Sequence, residues 1–395
     1  MRSIKLISYS FAAILPLLSL DATAPALARG TDRESFGEPN EDAEISVARI
    51  AGPFEFPWSI GFLPNSSILV TERTGRLQLV GPDLIAREVG GVPPILSKDH
   101  GGLLDVAVDA SFSKNRFIYL SYVHGTAAES VIRVLRAKLD DSNGALTEQQ
   151  IIFESFPPIE SAAHVAGRVV VTSEGYLFLT LGDRRKPELA QNPFNHVGAI
   201  IRIRTDGSIP DDNPFVSSRG GRPEIWTYGH RNPQGLALDP RTGNLWSHEH
   251  GPLGGDELNL VIGGRNYGWP VVTHGSDYSG KPIGEGITVK EGMESPVHHW
   301  TPAIAPSGLA VESYDGRLVL WIGALAGQAI IRLELVEGRV VQERRLFKEQ
   351  FGRIRDVRIG PDRLIYMITD SIEGALYRLE PAVEQASGPG KRKPL

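Results

Sequence analysis

The chain has no cysteine among its 395 residues. That excludes disulfides, lipid attachment through a thiol, thiolate metal sites and CxxC redox chemistry. It has no block of basic residues, and 41 Lys and Arg face 47 Asp and Glu for a formal net charge of −6. This balance argues against nucleic acid as a partner. No apolar run reaches the roughly 20 residues that a membrane-spanning helix needs. HExxH and G-x-S-x-G are absent, so zinc-protease and serine-hydrolase chemistry have no support. Almost no segment reads as an amphipathic helix.

What is present begins with an N-terminal signal. Arg2 and Lys5 form a short basic region, "FAAILPLLSL" at 11–20 is apolar, and Ala26-Leu27-Ala28 fits an A-x-A cleavage site. Together they predict a signal peptide over residues 1–28, rather than an apolar helix that stays attached, and hence a periplasmic or secreted protein. Residues 29–44 and 383–395 are polar and charged, and read as a disordered leader and a flexible tail. Residues 45–382 then form one domain that core burial alone must hold together.

Within that domain one phrase recurs: an apolar strand, a turn with Pro, Asp or Gly, and a second apolar strand. It opens as "SIGFLPNSSILVTERTGRLQLV". It returns as "LLDVAVDASFSKNRFIYLSYV", "GRVVVTSEGYLFLTLGD", "QGLALDPRTGNLWSHEHG", "SGLAVESYDGRLVLWIGAL" and "RDVRIGPDRLIYMITD". Further short strands follow each phrase. Strand–turn–strand units at a blade-like period of about 45–70 residues predict an all-β fold, a six-bladed β-propeller with four-stranded antiparallel blades. Two β-sandwiches would also be all-β, but would not repeat one phrase through the chain.

Polar residues gather at matching points of these units. His100-Gly101-Gly102 precedes the second unit's first strand. His164 precedes the third unit's first strand, and Asp183 follows its second. Gly229-His230-Arg231-Asn232-Pro233-Gln234-Gly235 leads into the fourth unit, and His250-Gly251-Pro252 leaves it. Arg353 and Arg355 stand at the start of the sixth, with Asp370 after its second strand. His164, set among small residues in "SAAHVAGR", is the candidate base, because imidazole is the usual base near neutral pH. Lone histidines such as His124 and His274 read as surface residues. Arg353 and Arg355 repel one another unless an acid or an anionic ligand lies between them. Asp356 is one candidate for that role and a polycarboxylate ligand is the other. The glycine-rich "GPLGGDEL" at 251–258 lacks the Lys-Ser/Thr end of a phosphate loop. Its carbonyls, with Asp256 and Glu257 at hand, suit Ca2+.

Taken together, "GGLLDVAVDASF", "HVAGRVV", "GHRNPQGLALDP", "EHGPLGGDELN", "GRNYGWP" and "IAPSGL" resemble the soluble PQQ-dependent aldose sugar dehydrogenases, the glucose/sorbosone dehydrogenase family. The resemblance keeps the family order over about residues 45 to 380. It implies a six-bladed propeller carrying PQQ and Ca2+ on its top face. It implies oxidation of an aldose at C1 to the lactone, with hydride passing to C5 of PQQ. By the same resemblance His164 is the general base, Asp183 orients it, and Arg231 stabilises charge at the quinone oxygen. Asn232, Arg353, Arg355, His250 and His100 surround the cofactor. Gly251 and Pro252 hold Ca2+ through their carbonyls, and Glu257 with the Tyr267 carbonyl forms a second, structural Ca2+ site. The implied partners are an aldose and an external electron acceptor, a quinone or a cytochrome, for a monomer or a homodimer. This sequence departs from the family pattern in places. Ala326 replaces a Lys that lies against PQQ in many relatives, His100 and His250 each replace a Gln, and Ala163 replaces an Asp. Two other functions suit a propeller of this kind: a Ca2+-dependent lactonase and a non-catalytic carbohydrate-binding module. The paired arginines favour the dehydrogenase, since a lactonase has no polycarboxylate to hold.

Overall fold

The structure is a computed structural model and describes residues 45–381 except 141–143 and 315. The expected signal peptide, leader and tail lie outside the described residues. Six four-stranded antiparallel sheets form the blades of a six-bladed β-propeller, as the repeats predict. The first strands, Pro57–Phe62, Leu103–Val108, Ala166–Val171, Pro233–Leu238, Pro306–Tyr314 and Ile354–Ile359, pack side by side in a closed ring. We number the blades 1 to 6 in that order. Blade 6 takes its outermost strand from the start of the domain: Ile45–Phe54 pairs antiparallel with Gly374–Pro381 and closes the ring.

Burial explains the apolar runs. Neighbouring blades cover both faces of each second strand, so "ILVTE", "YLFLTL", "LWSHE" and "IYMIT" are buried along nearly their whole length. A strand covered on both faces loses the polar half of its alternation. Outer strands are freer: Ala86–Glu88 is exposed and Arg339–Leu346 is mostly polar. Hydrophobic clusters fill the blade interfaces. The cluster that joins blade 6 to blade 1 gathers Phe54, Ile60, Val70, Ile368 and Leu376.

The inner strands also carry a buried charged network. Arg168, only 1% exposed, reaches Asp105 at 3.3 Å and Asp356 at 3.2 Å. Its Nε donates to the Gln234 carbonyl at 3.0 Å, and its guanidinium lies 4.2 Å from the Trp58 ring centroid. Arg358 pairs with both aspartates at 2.9 Å. Asp105 also accepts from Val169 N at 2.7 Å, and Asp356 from Ile60 N at 3.1 Å. These charges therefore stitch the inner strands of blades 1, 2, 3, 4 and 6 together. Asp356 is thus engaged here and does not serve Arg353 and Arg355.

His248, on the second strand of blade 4, donates Nε2–H to the Gly308 carbonyl at 3.2 Å. Gly235 packs so closely that a Cβ there would sit 2.2 Å from His248 Nε2. Burial pushes this imidazole from 6.5 down to about 3, against a smaller opposing pull from the Gly308 carbonyl. Between these values the unfolded chain takes up a proton that the folded chain refuses. Stability is therefore full above about pH 6.5 and falls as the pH drops toward 3, at up to about 1.4 kcal/mol per pH unit from this group. Denaturant unfolding at pH 7 and pH 4.5 checks this: His248→Gln should lose less stability between the two than the parent does. Equal losses would show that His248 does not govern the acid limb.

Candidate active site

Consecutive strands are antiparallel, so the loops leading into first strands and those leaving second strands emerge on one face. That face carries His100, His164, Asp183, Arg231, Asn232, His250 and the Arg353–Arg355 pair. Among the described residues, no helix is long and apolar enough to cross a membrane.

The candidate base is held by its neighbours. His164 Nδ1 lies 2.7 Å from Asp183 Oδ1. Asp183 is 1% exposed and also accepts from Trp269 Nε1 at 2.8 Å and Arg185 N at 2.9 Å. A carboxylate only accepts, so Nδ1 of His164 donates to Asp183, and in the neutral imidazole the lone pair lies on Nε2. The backbone here is unusual: His164 has φ 46 and Ala166 φ 55, both left-handed for residues with a Cβ. Gly182 makes room for it, since a Cβ there would lie 1.9 Å from the His164 carbonyl oxygen. Gly182→Ala should therefore shift His164 and lower turnover by about 100-fold, the scale of an ångström misplacement. Steady-state kinetics beside circular dichroism would check it; a folded variant with parental kcat would show the position to be unimportant.

His100 lies against this base. Its Nδ1 accepts from His164 N at 3.2 Å, and the two rings sit 5.8 Å apart at 22°. Burial first, then the positive charge that His164 carries when protonated and those of Arg185, Arg355 and Arg73, push His100 down to about 4. It is therefore neutral at pH 7, with a proton on Nε2 to donate.

Arg231 is buried on the other side. Its Nη1 donates to the His250 carbonyl at 3.0 Å, its guanidinium lies 5.3 Å from the Trp269 ring centroid, and its own carbonyl accepts from Asp183 N at 2.7 Å. Its Nε is buried without a partner. Asn232 Nδ2 faces His250 Nδ1 at 3.5 Å, and Gln234 Nε2 donates to Asn232 Oδ1 at 3.1 Å. His250 Nε2 donates to the Pro306 carbonyl at 2.8 Å, and burial holds this ring well below 6.5. Both nitrogens of His250 are engaged, so it offers a ligand its ring rather than a hydrogen bond. His230, from the same motif as Arg231, is structural. It is fully buried between Thr227 and Glu249, each at 2.9 Å, and stacks on Tyr267.

Arg353 and Arg355 do share an acid, and it is Asp370: both reach its Oδ2, at 3.0 and 2.9 Å. Arg355 is buried, and its Nε also lacks a partner. Two guanidinium groups thus divide one carboxylate.

The glycine-rich loop is tied down by Asp256. This side chain accepts from Gly251 N at 2.8 Å and from Ile304 N and Ala305 N at 2.7 Å each. Its oxygens are committed to backbone, which disfavours it as a cation ligand. Glu257 and Tyr267 line one cleft with Glu249, Gly251 and Thr273, and Arg231 and His250 line it too. Burial first, then the Glu249 charge, pushes Glu257 above the usual carboxylate range. Two carboxyls confined together are eased by a cation. Among the described residues no group of three or more His, Cys, Asp or Glu is placed to hold a metal. A cation here would have to lean on backbone carbonyls, as a hard oxygen-seeking ion does.

The family model for glucose/sorbosone dehydrogenase matches residues 54–378. The chain belongs to the glucose/sorbosone dehydrogenase family. It is 38% identical to the aldose sugar dehydrogenase YliI of Escherichia coli strain K12 over 348 residues, which cover 86% of this chain and 94% of that protein. A crystal structure of a glucose dehydrogenase superposes with a TM-score of 0.81 at 41% identity, over 85% of this chain and 100% of the other. The PQQ-bound aldose sugar dehydrogenase of Streptomyces coelicolor superposes with a TM-score of 0.71 at 25% identity, over 86% and 99%. This glucose/sorbosone dehydrogenase family protein is thereby supported as an oxidoreductase that acts on small sugars.

Sequence reasoning missed Trp269 as a partner of Asp183. Its signal was "GRNYGWP", which stands in the long connection after the third strand of blade 4. There Tyr267 N and Trp269 N donate to the Tyr228 and Gly229 carbonyls at 2.9 and 2.8 Å and bring the indole to the site.

Proposed function

We propose that the protein is an exported PQQ- and Ca2+-dependent aldose dehydrogenase that oxidises C1 of the sugar to the lactone. The observation that carries this reading is the pair of partnerless buried Nε groups on Arg231 and Arg355, on the face that holds His164. A buried charged donor left unmet is costly unless a ligand completes it. An anionic quinone with several carboxylates is such a ligand, and a structural relative is described as PQQ-bound. PQQ, when bound, supplies the quinone that accepts the hydride.

The remaining work falls to the chain's own residues. His164 Nε2 takes the proton of the anomeric hydroxyl, while Asp183 keeps Nδ1–H in place and steadies the imidazolium that forms. Arg231 holds positive charge beside Trp269, where it would stabilise negative charge on a bound acceptor. Arg353 and Arg355 grip a carboxylate, with Asn232, His250 and His100 around it. The carbonyls of Gly251 and Pro252 would hold Ca2+, and Glu257 with the Tyr267 carbonyl would hold a second ion. An external quinone or cytochrome takes the electrons away.

The test is product analysis. The protein is supplied with PQQ and Ca2+ and given an aldose and a two-electron dye acceptor. Lactone and reduced dye should appear in equal amounts. Hydrolysis of an added lactone with no need for PQQ or dye would show the lactonase instead, and sugar binding without turnover would show the binding module.

A further inference from the structure

The loops that leave the second strands form a series around the top face. Asp183 stands at that point in blade 3, His250 in blade 4, Ala326 in blade 5 and Asp370 in blade 6. In blade 1 the second strand ends at Glu72, and the next residue is Arg73. Its backbone is clamped: Arg73 N donates to the Phe56 carbonyl at 3.0 Å, and its carbonyl accepts from Leu103 N at 3.3 Å. The chain of Gly102 passes so close that a Cβ there would meet the Arg73 carbonyl oxygen at 2.1 Å and its Cγ at 2.4 Å. The side chain therefore lies beside the His100-Gly101-Gly102 loop, with its guanidinium 5.1 Å from the Phe56 ring centroid.

The neighbouring acids do not neutralise Arg73. Glu72 and Glu55 are engaged by Arg76, at 2.7 and 3.1 Å. The first strand of blade 1 packs between those of blades 6 and 2, so Arg73, at the end of the next strand and against Gly102, stands in the sector between Arg355 and His100. That sector then holds three guanidinium groups, from Arg73, Arg353 and Arg355, against the single carboxylate of Asp370. Such an excess is stable when an anion completes it. On the other side of blade 6, in blade 5, Ala326 is exposed and brings no charge.

We infer that Arg73 is a third guanidinium for the carboxylates of the cofactor and supplies from blade 1 the cation that blade 5 lacks at Ala326. The inference rests on the PQQ reading. Arg73 would thus give blade 1 a part in the site and account for an alanine at 326.

The experiment is a calorimetric titration of PQQ into the purified protein, stripped of cofactor and resupplied with Ca2+. Arg73→Gln keeps most of the aliphatic stem against Gly102 and Phe56, and Arg73→Lys keeps the charge should the glutamine variant fail to fold. Arg73→Gln should raise the Kd by about 10- to 100-fold, the scale of one charge-assisted hydrogen bond. Adding Ala326→Lys should recover at least part of that loss, and Arg73→Lys should fall between the parent and Arg73→Gln. A Kd for Arg73→Gln within about twofold of the parent, or a loss that Ala326→Lys leaves untouched, overturns the inference while the PQQ reading stands. A parent protein that binds no PQQ overturns both.

Discussion

Replacing His164 with alanine is expected to lower kcat by about 10²- to 10⁴-fold while PQQ binding persists. The size follows from what is removed. His164 presents the lone-pair nitrogen whose tautomer is set by a buried carboxylate, and alanine leaves nothing there to accept the sugar's proton. Binding should survive because the cofactor's grip is argued to come from Arg231, Arg353 and Arg355, which hold their places through His250, Trp269 and Asp370. Asp183 would lose its imidazole but keep the Trp269 indole and the Arg185 amide, so the loop stays ordered. Steady-state kinetics with a dye acceptor, alongside a PQQ titration, separates the two effects. An unchanged kcat would place the base elsewhere. Asp183→Asn is the companion variant: an amide in place of the carboxylate can favour the wrong imidazole tautomer and should also lower kcat.

The second large effect is on stability. Arg168→Met is expected to cost about 3–5 kcal/mol, because it leaves buried aspartates short of a cation. Asp105 and Asp356 would then share Arg358 alone, and Gln234 would lose the donor to its carbonyl. The inner ring is where an error spreads furthest, since one guanidinium there reaches inner strands of several blades. Denaturant unfolding of parent and variant measures the loss. A value under about 1 kcal/mol would mean that water reaches the network and screens it.

Much of this was legible in the sequence, and the limits have physical causes. The six apolar phrases stand out because second strands are covered on both faces, so "YLFLTL" and "IYMIT" carry no polar alternation to hide them. The ring-closing strand Ile45–Phe54 does not stand out, because its partner Gly374–Pro381 lies at the far end of the domain and only tertiary structure joins them. Polar motifs at strand ends, such as "GHRNPQG" and "EHGP", were conspicuous because a strand ladder does not need them. Pairing among charges was not legible. Asp356 is the next residue after Arg355 and Asp370 is 15 residues away, yet neighbours on a strand face opposite ways, which sends Asp356 to Arg168 and Arg358 and leaves the more distant Asp370 for the arginine pair. Asp256 looked like a cation ligand until three backbone amides were found on it. Trp269 was visible only as part of a motif, since an indole far along the chain gives no hint of which carboxylate it will meet.

The most direct measurement is dye reduction by the purified protein with glucose, in four mixtures that contain PQQ and Ca2+ together, each alone, or neither. Reduction in the complete mixture only is the result expected of a PQQ-dependent site assembled around His164, Arg231 and the Arg353–Arg355 pair. No reduction in any mixture across a panel of aldoses, or reduction that proceeds equally well without PQQ, would contradict it.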